Sequence, residues 1–145
     1  MTMQHISPYL IAIAAGWIVA QGCKYVFAVA RTGNLRQLRQ LYISGNMPSS
    51  HSATVMALLT VIGCKNGVGS GLFGLAALFA AIVMYDAMMV RRSSGEQGAA
   101  IQALIKEQKS KIPLPRAAKG HTPAEVAVGA VVGIAIGLVV FFTTN

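Results

Sequence analysis

Apolar and polar positions divide the chain into four apolar blocks, Ile6 to Ala30, Ala53 to Cys64, Val68 to Val90 and Ala124 to Phe142. Three of them approach or exceed the ~20 residues that a helix needs to cross a bilayer core. The second is shorter. It is predicted to span by starting at Ser49 and running to about Val68, with its polar first turn facing protein or water instead of lipid. Between the third and fourth blocks, Ala100, Ile101, Leu104 and Ile105 fall on one side of a helical wheel and charges on the other. This predicts an amphipathic helix from about Ser94 to Lys109, capped by Ser93 with Glu96 and resting on the membrane surface. Pro113 and Pro115 then end it and stiffen the approach to His121. The expected fold class is all-α: an integral membrane bundle of about four transmembrane helices, with a short amphipathic surface helix between the third and fourth. Residues 1–145 form a single domain.

In the last block Gly129, Gly133 and Gly137 recur every fourth residue. Such a stripe lets another backbone approach closely. It predicts tight packing within the bundle and leaves open a homo-oligomer through the same glycines.

Composition supports the membrane reading. Only 11% of the residues are charged and 54% are hydrophobic, with a mean hydropathy of +0.59, where a soluble domain carries about 25% charged residues. Of twelve Lys and Arg, Arg31, Arg36 and Arg39 lie between the first two blocks, and seven more, Arg91 through Lys119, lie between the last two. With four crossings these two loops share one side. The positive-inside rule makes that side cytoplasmic and leaves both termini outside, so the location expected is a bacterial cytoplasmic membrane. The net charge of +8 therefore describes a membrane face whose natural partners are anionic lipids. A nucleic-acid partner is not expected, because spans interrupt the charge and no stacking aromatics accompany it. The start, MTMQHISPYL, has no basic segment ahead of its apolar run, so the first span is expected to be retained as an anchor. Cys23 and Cys64 lie in apolar blocks without a ligand-like partner and read as packing residues.

Chemistry is left to the polar residues at the basic-loop ends of the spans. In NMPSSHSA, Pro48 stops the loop, Ser49 or Ser50 caps the second helix, and His51 sits in its first turn, where free N–H groups and the positive dipole end suit an anion. In GHTPAEV, Thr122, Pro123 and Glu125 form a capping box. His121 stands four residues before Glu125, near enough for the carboxylate to hold one imidazole nitrogen and leave the other free as a nucleophile or base. Lys24 and Arg31, seven residues apart, can share a face of the first helix. A lysine inside an apolar run either snorkels or pairs.

These residues carry a resemblance. Lys24-x6-Arg31, then Pro48-Ser49-Ser50-His51, then His121-x3-Glu125 resemble the three-part signature of the type 2 phosphatidic acid phosphatases, the superfamily that also holds the vanadium-dependent haloperoxidases. The strings MPSSHSA, YDAMMVRRSSGEQ and GHTPAEVAVGAVVG are similar to its small divergent membrane branch, often labelled acid phosphatase or haloperoxidase related. The resemblance implies a phosphatase-like domain over the whole chain that hydrolyses a lipid phosphate or diphosphate without metal or other cofactor, through a phosphohistidine. It implies that His121 attacks phosphorus, Glu125 orients it, and His51 protonates the leaving oxygen and then activates water. Lys24, Arg31, Ser49, Ser50 and an arginine of the third cluster would hold the phosphoryl oxygens. The chain departs from the usual pattern: Ser50 replaces a glycine, Thr32 a proline and Glu125 an aspartate, and the Ser-Arg pair expected just before the nucleophile is missing. Arg91 or Arg92, with Asp86 pairing to one of them, is the expected substitute, and Arg116 the alternative. Two other classes compete: a non-catalytic lipid-phosphate-binding or scaffold protein, and a metal site of His51, His121, Asp86 and Glu125, which the nearby cations disfavour. Haloperoxidase chemistry on bound vanadate is not expected at an intramembrane cytoplasmic site.

Overall fold

The computed structural model describes residues 6–36, 47–115, 117 and 120–145. They form an all-helical bundle: α1 (Pro8–Thr32), α2 (Ser50–Asn66), α3 (Gly71–Tyr85), a π-helical turn (Asp86–Val90), α4 (Arg91–Glu107) and α5 (Pro123–Thr143). Local signals set most of the ends. Pro8 opens α1 and Gly33, in the left-handed region at φ 66, closes it. Ser49 and Ser70 cap α2 and α3 through their hydroxyls. Thr122 and Glu125 form a complete capping box on α5.

Among the described residues three helical stretches are long and apolar enough to cross a membrane: α1, the continuous run from Gly71 to Glu107, and α5. The fourth, α2, has 17 residues, about 26 Å at 1.5 Å per residue. Its ends show that it runs the same distance as its neighbours. At one end the Ser49 N–H donates to the Glu125 carbonyl at 3.0 Å, and at the other Lys65 Nζ donates to the Thr144 carbonyl at 3.1 Å. The Tyr9 hydroxyl reaches Asn66 Oδ1 at 2.7 Å, which brings the start of α1 level with the end of α2. The chain is thus roughly a four-helix membrane bundle. The shortest of the four spans is also the central one, packed against α1, α3 and α5. Neighbours shield it from lipid, so it can afford the serines, threonines and alanines that shorten its apolar run.

Small residues govern how closely the helices approach. On α1 the buried positions are Ala12, Gly16, Ala20 and Lys24, each four residues after the last, so one ridge faces α2. On α5 the stripe Gly129, Gly133 and Gly137 is buried. A Cβ on Gly133 would lie 2.4 Å from the Ala53 carbonyl oxygen, and one on Gly129 2.4 Å from that of Ser49. The glycine stripe, which left open a contact with a second copy, is packed against α2 of the same chain.

The segment after α3 corrects one expectation. The amphipathic helix does not start afresh at a Ser93 cap. Helix continues through the π turn into α4, where Ser93 Oγ instead accepts from Gln97 Nε2 at 3.2 Å and Glu96 pairs with Arg92 at 3.1 Å. No proline interrupts residues 71–107, and intrahelical bonding satisfies the backbone without a cap. At 37 residues the run measures about 55 Å, far more than the ~30 Å hydrocarbon core. Its apolar part ends at Val90, where Arg91 and Arg92 follow.

Candidate functional site

Two helix starts lie side by side at the basic-loop end of the bundle. The Ser49–Glu125 backbone bond ties the first residues of α2 to those of α5, so both positive dipole ends point the same way. Ser49 is fully buried and works as a cap, its Oγ accepting from the Ser52 N–H at 3.4 Å and the Ser52 hydroxyl at 3.0 Å. The Ser52 hydroxyl is a site component that sequence reasoning missed, although the third residue after a serine cap is a natural partner. With these bonds made, the backbone N–H groups of Ser50 and His51 are the first-turn donors without an intrahelical acceptor.

Lys24 is carried into this site by the small-residue ridge of α1. Only 4% exposed, its ammonium stands 3.4 Å from Ser50 Oγ, and it does not snorkel. Arg31, two turns further on, is exposed in the last turn of α1. The expected shared face therefore delivers one cation into the site and leaves the other exposed near the end of α1.

His121 is 3% exposed. Its Nδ1 lies 3.1 Å from Glu125 Oε2, and the same oxygen accepts the Thr122 N–H at 3.0 Å. A carboxylate can only accept, so Nδ1 carries the proton and Nε2 keeps its lone pair. Burial holds the His121 imidazole below its ordinary pKa; the bond to Glu125 pulls the other way, and the charges of Lys24 and Arg91 add to the depression. His51 lies within electrostatic range of His121, Lys24, Arg91 and Asp86. The two histidines thus lie within electrostatic reach of each other and of Lys24 and Arg91, His121 buried and His51 exposed in the first turn of α2.

The π turn explains how α3 reaches this site. The Arg91 N–H bonds back five residues to the Asp86 carbonyl. An α-helical register would commit it to Ala87. Instead the Ala87 carbonyl accepts the backbone N–H of His121 at 3.0 Å, anchoring the loop that carries the imidazole. Gly120 lets that loop close on the helix, since a Cβ there would sit 2.5 Å from Arg92 N and Cα. Neither the π turn nor the Ala87 carbonyl has a side-chain signature, and a backbone acceptor is invisible in a residue string. Gly120, directly before His121, is the one cue that was available.

The same turn separates the two candidate arginines. Arg91 Nε bonds Asp86 Oδ2 at 2.6 Å, and its charge acts on both histidines. Arg92 is turned to Glu96 on the outer face, with 57% of its side chain exposed. Arg116 lies outside the described residues.

The family described as "Divergent PAP2 family" matches over residues 6–136, a range that takes in Lys24, His51, Arg91, His121 and Glu125. The chain is also similar to the "Uncharacterized membrane protein YuiD" of Bacillus subtilis (strain 168), with 39% identity over 114 residues, covering 68% of this chain and 72% of the relative. No solved structure matches.

Proposed function

Since the chain belongs to the divergent PAP2 family, we propose that it is a metal-independent phosphatase acting on a lipid phosphate or diphosphate through a phosphohistidine. The observation that carries this reading is the convergence of a carboxylate-oriented imidazole, a second imidazole and a buried lysine beside two helix starts. Phosphoryl transfer asks mainly for positioning and for positive charge around the equatorial oxygens.

His121 Nε2 attacks phosphorus and the bond from phosphorus to the leaving oxygen breaks, while His51 gives that oxygen its proton. His51, now neutral, takes a proton from water as the water oxygen attacks the phosphohistidine. The P–N bond breaks, phosphate leaves and both histidines return to their starting states. Glu125 holds the Nδ1 proton in place and balances the positive charge that grows on the ring. Lys24, Arg91 and the Ser50 and His51 amides surround the phosphoryl oxygens, and Asp86 holds the Arg91 fork. Arg31, exposed in the last turn of α1, is the cation free to meet an arriving anion, while Arg92 is held by Glu96. Bilayer depth favours a lipid over a soluble ester.

A second reading follows from the missing Ser-Arg pair. With Arg91 supplied from the start of α4 and 45% of its side chain exposed, the same site would bind a lipid phosphate without turning it over. Phosphate release by the detergent-purified protein, tested against phosphatidate, phosphatidylglycerophosphate and polyprenyl diphosphate in excess chelator, separates the two. Binding without release from any of them would leave the non-catalytic reading.

Two substitutions probe the roles. Glu125→Gln keeps an oxygen for the Thr122 and His121 donors, so the fold is expected to stay while turnover drops by about 10²- to 10⁴-fold, as when a histidine loses its carboxylate. Unchanged turnover would reduce Glu125 to a cap. Arg91→Gln is expected to slow hydrolysis by about 10²-fold or more, the scale of one lost charge-stabilising donor, and Arg92→Gln by far less. Equal losses in the two variants would remove Arg91 from its special place.

A further inference from the structure

Past the histidine site, α4 carries one covered stripe. The residues of α4 that are not exposed are Gly95, Gly98, Gln102 and Ile105, three or four apart, so they fall on one face of the helix. Arg91, four residues before Gly95, begins the same face. A glutamine is thus turned inward while Ile101 and Leu104 stay 48% and 56% exposed. That order inverts the usual preference for burying apolar side chains, and it requires a partner for the amide.

The partner is the chain on its way to His121. Lys109, in the left-handed region at φ 49, follows α4, and the Ser110 N–H bonds back to the Ile105 carbonyl at 3.1 Å, the closing bond of a Schellman motif. After this reversal Gln102 Nε2 donates to the Pro115 carbonyl at 2.6 Å. Gly120 then closes on Arg92, and the His121 N–H bonds the Ala87 carbonyl. As the chain advances from Pro115 to His121, its anchors step back along one continuous helix from Gln102 through Arg92 to Ala87. Pro115 stands five residues before Gly120, and five residues reach at most about 17 Å, barely more than the ~15 Å of helix between Arg92 and Gln102. Movement at Pro115 is therefore passed to Gly120.

We infer that Gln102 is a positioning residue for His121: by holding Pro115 it sets the nucleophile against the same helix face that carries Arg91. Arg91 and His121 are thirty residues apart in sequence, so no short covalent link fixes their spacing. The tie at Gln102 supplies it. The inference rests on the phosphatase reading for its effect on rate, but not for its effect on the His121 loop.

Gln102→Met keeps the length of the side chain and removes its donor. The full-length protein in detergent is labelled with ¹⁵N-histidine, of which the chain has three, and exchange of the His121 amide is read beside the kinetics. In Gln102→Met that amide is expected to exchange about fivefold faster or more, the scale of one net hydrogen bond. On whichever of phosphatidate, phosphatidylglycerophosphate and polyprenyl diphosphate the parent hydrolyses fastest, kcat should fall about 10- to 100-fold, as when a reacting group is misplaced, with KM within about twofold. Gln102→Lys, which keeps a donor for Pro115, should bring both readings to within about threefold of the parent. Gln97→Met makes the same change five residues earlier, at an amide bonded to Ser93, and should alter neither. All three variants should melt with the parent, since α4 lies beyond the four spans. In an active protein, parental exchange or parental kcat in Gln102→Met, no recovery in Gln102→Lys, or an equal effect in Gln97→Met would overturn the assignment. Faster His121 exchange in a protein that hydrolyses none of the three lipids would retain the tie and reject the phosphatase reading.

Discussion

His121→Ala is expected to lower phosphate release by at least about 10⁴-fold, the scale on which enzymes lose rate when an acting nucleophile is removed. Reactions with labelled substrate quenched in alkaline detergent, where the P–N bond survives, should trap phosphohistidine in the parent and none in the variant. Because the His121 backbone, not its ring, bonds Ala87, the loop should keep its anchor and the variant should remain folded. Hydrolysis at the parental rate would end the covalent mechanism. The same residue has a pH signature. Burial favours the neutral ring, so Nε2 stays unprotonated as the pH falls to the ordinary histidine pKa of ~6.5, and protonation sets in only below it. NMR titration of the His121 ring in the detergent-solubilised protein should give a midpoint under that value. A midpoint above it would mean that the bond to Glu125 outweighs burial.

The second large effect is on stability. Gly133→Ala should destabilise the bundle by about 2 kcal/mol, against ordinary helix propensity, which by itself favours alanine by ~1 kcal/mol. The added Cβ would fall 2.4 Å from the Ala53 carbonyl oxygen and 2.8 Å from Met56 Cβ. A backbone carbonyl cannot rotate aside, so α5 must move off α2, and overpacking of this kind costs about 1–3 kcal/mol or more. Gly74→Ala is the control. Its Cβ would meet nothing within 4 Å, so only the propensity gain remains and the variant should melt at or above the parent. Thermal unfolding in one detergent, read for both variants, checks the contrast. A Gly133→Ala protein that melts with Gly74→Ala would mean that the helices are not in contact at that stripe.

Much of the bundle was legible as one-dimensional pattern. Apolar length marked α1, α3 and α5, and the cap signals Ser49, Thr122 and Glu125 marked two helix starts, because these effects act within a turn or two of the chain. The pairing of His121 with Glu125 was legible for the same reason, being a contact between neighbours on one helix start. The amphipathic segment was legible as a helix but not as a continuation of α3. A capping motif at Ser93 and Glu96 has the same letters whether or not the backbone ahead of it is already helical.

What the sequence by itself determined is therefore the membrane class, the helices, the basic face and the short-range chemistry at His121, all set by local propensity, hydropathy and charge. Tertiary structure alone decided that α2 is central, that the glycine stripe packs on α2, that Lys24 is buried against Ser50 while Arg31 stays exposed, and that the charge of Arg91, with Arg92 turned to Glu96, acts on the histidines. These outcomes depend on how helices rotate about their axes and which backbones approach within a few ångströms. A single π turn changes that rotation by about one residue, or ~100°, without altering a letter of the string.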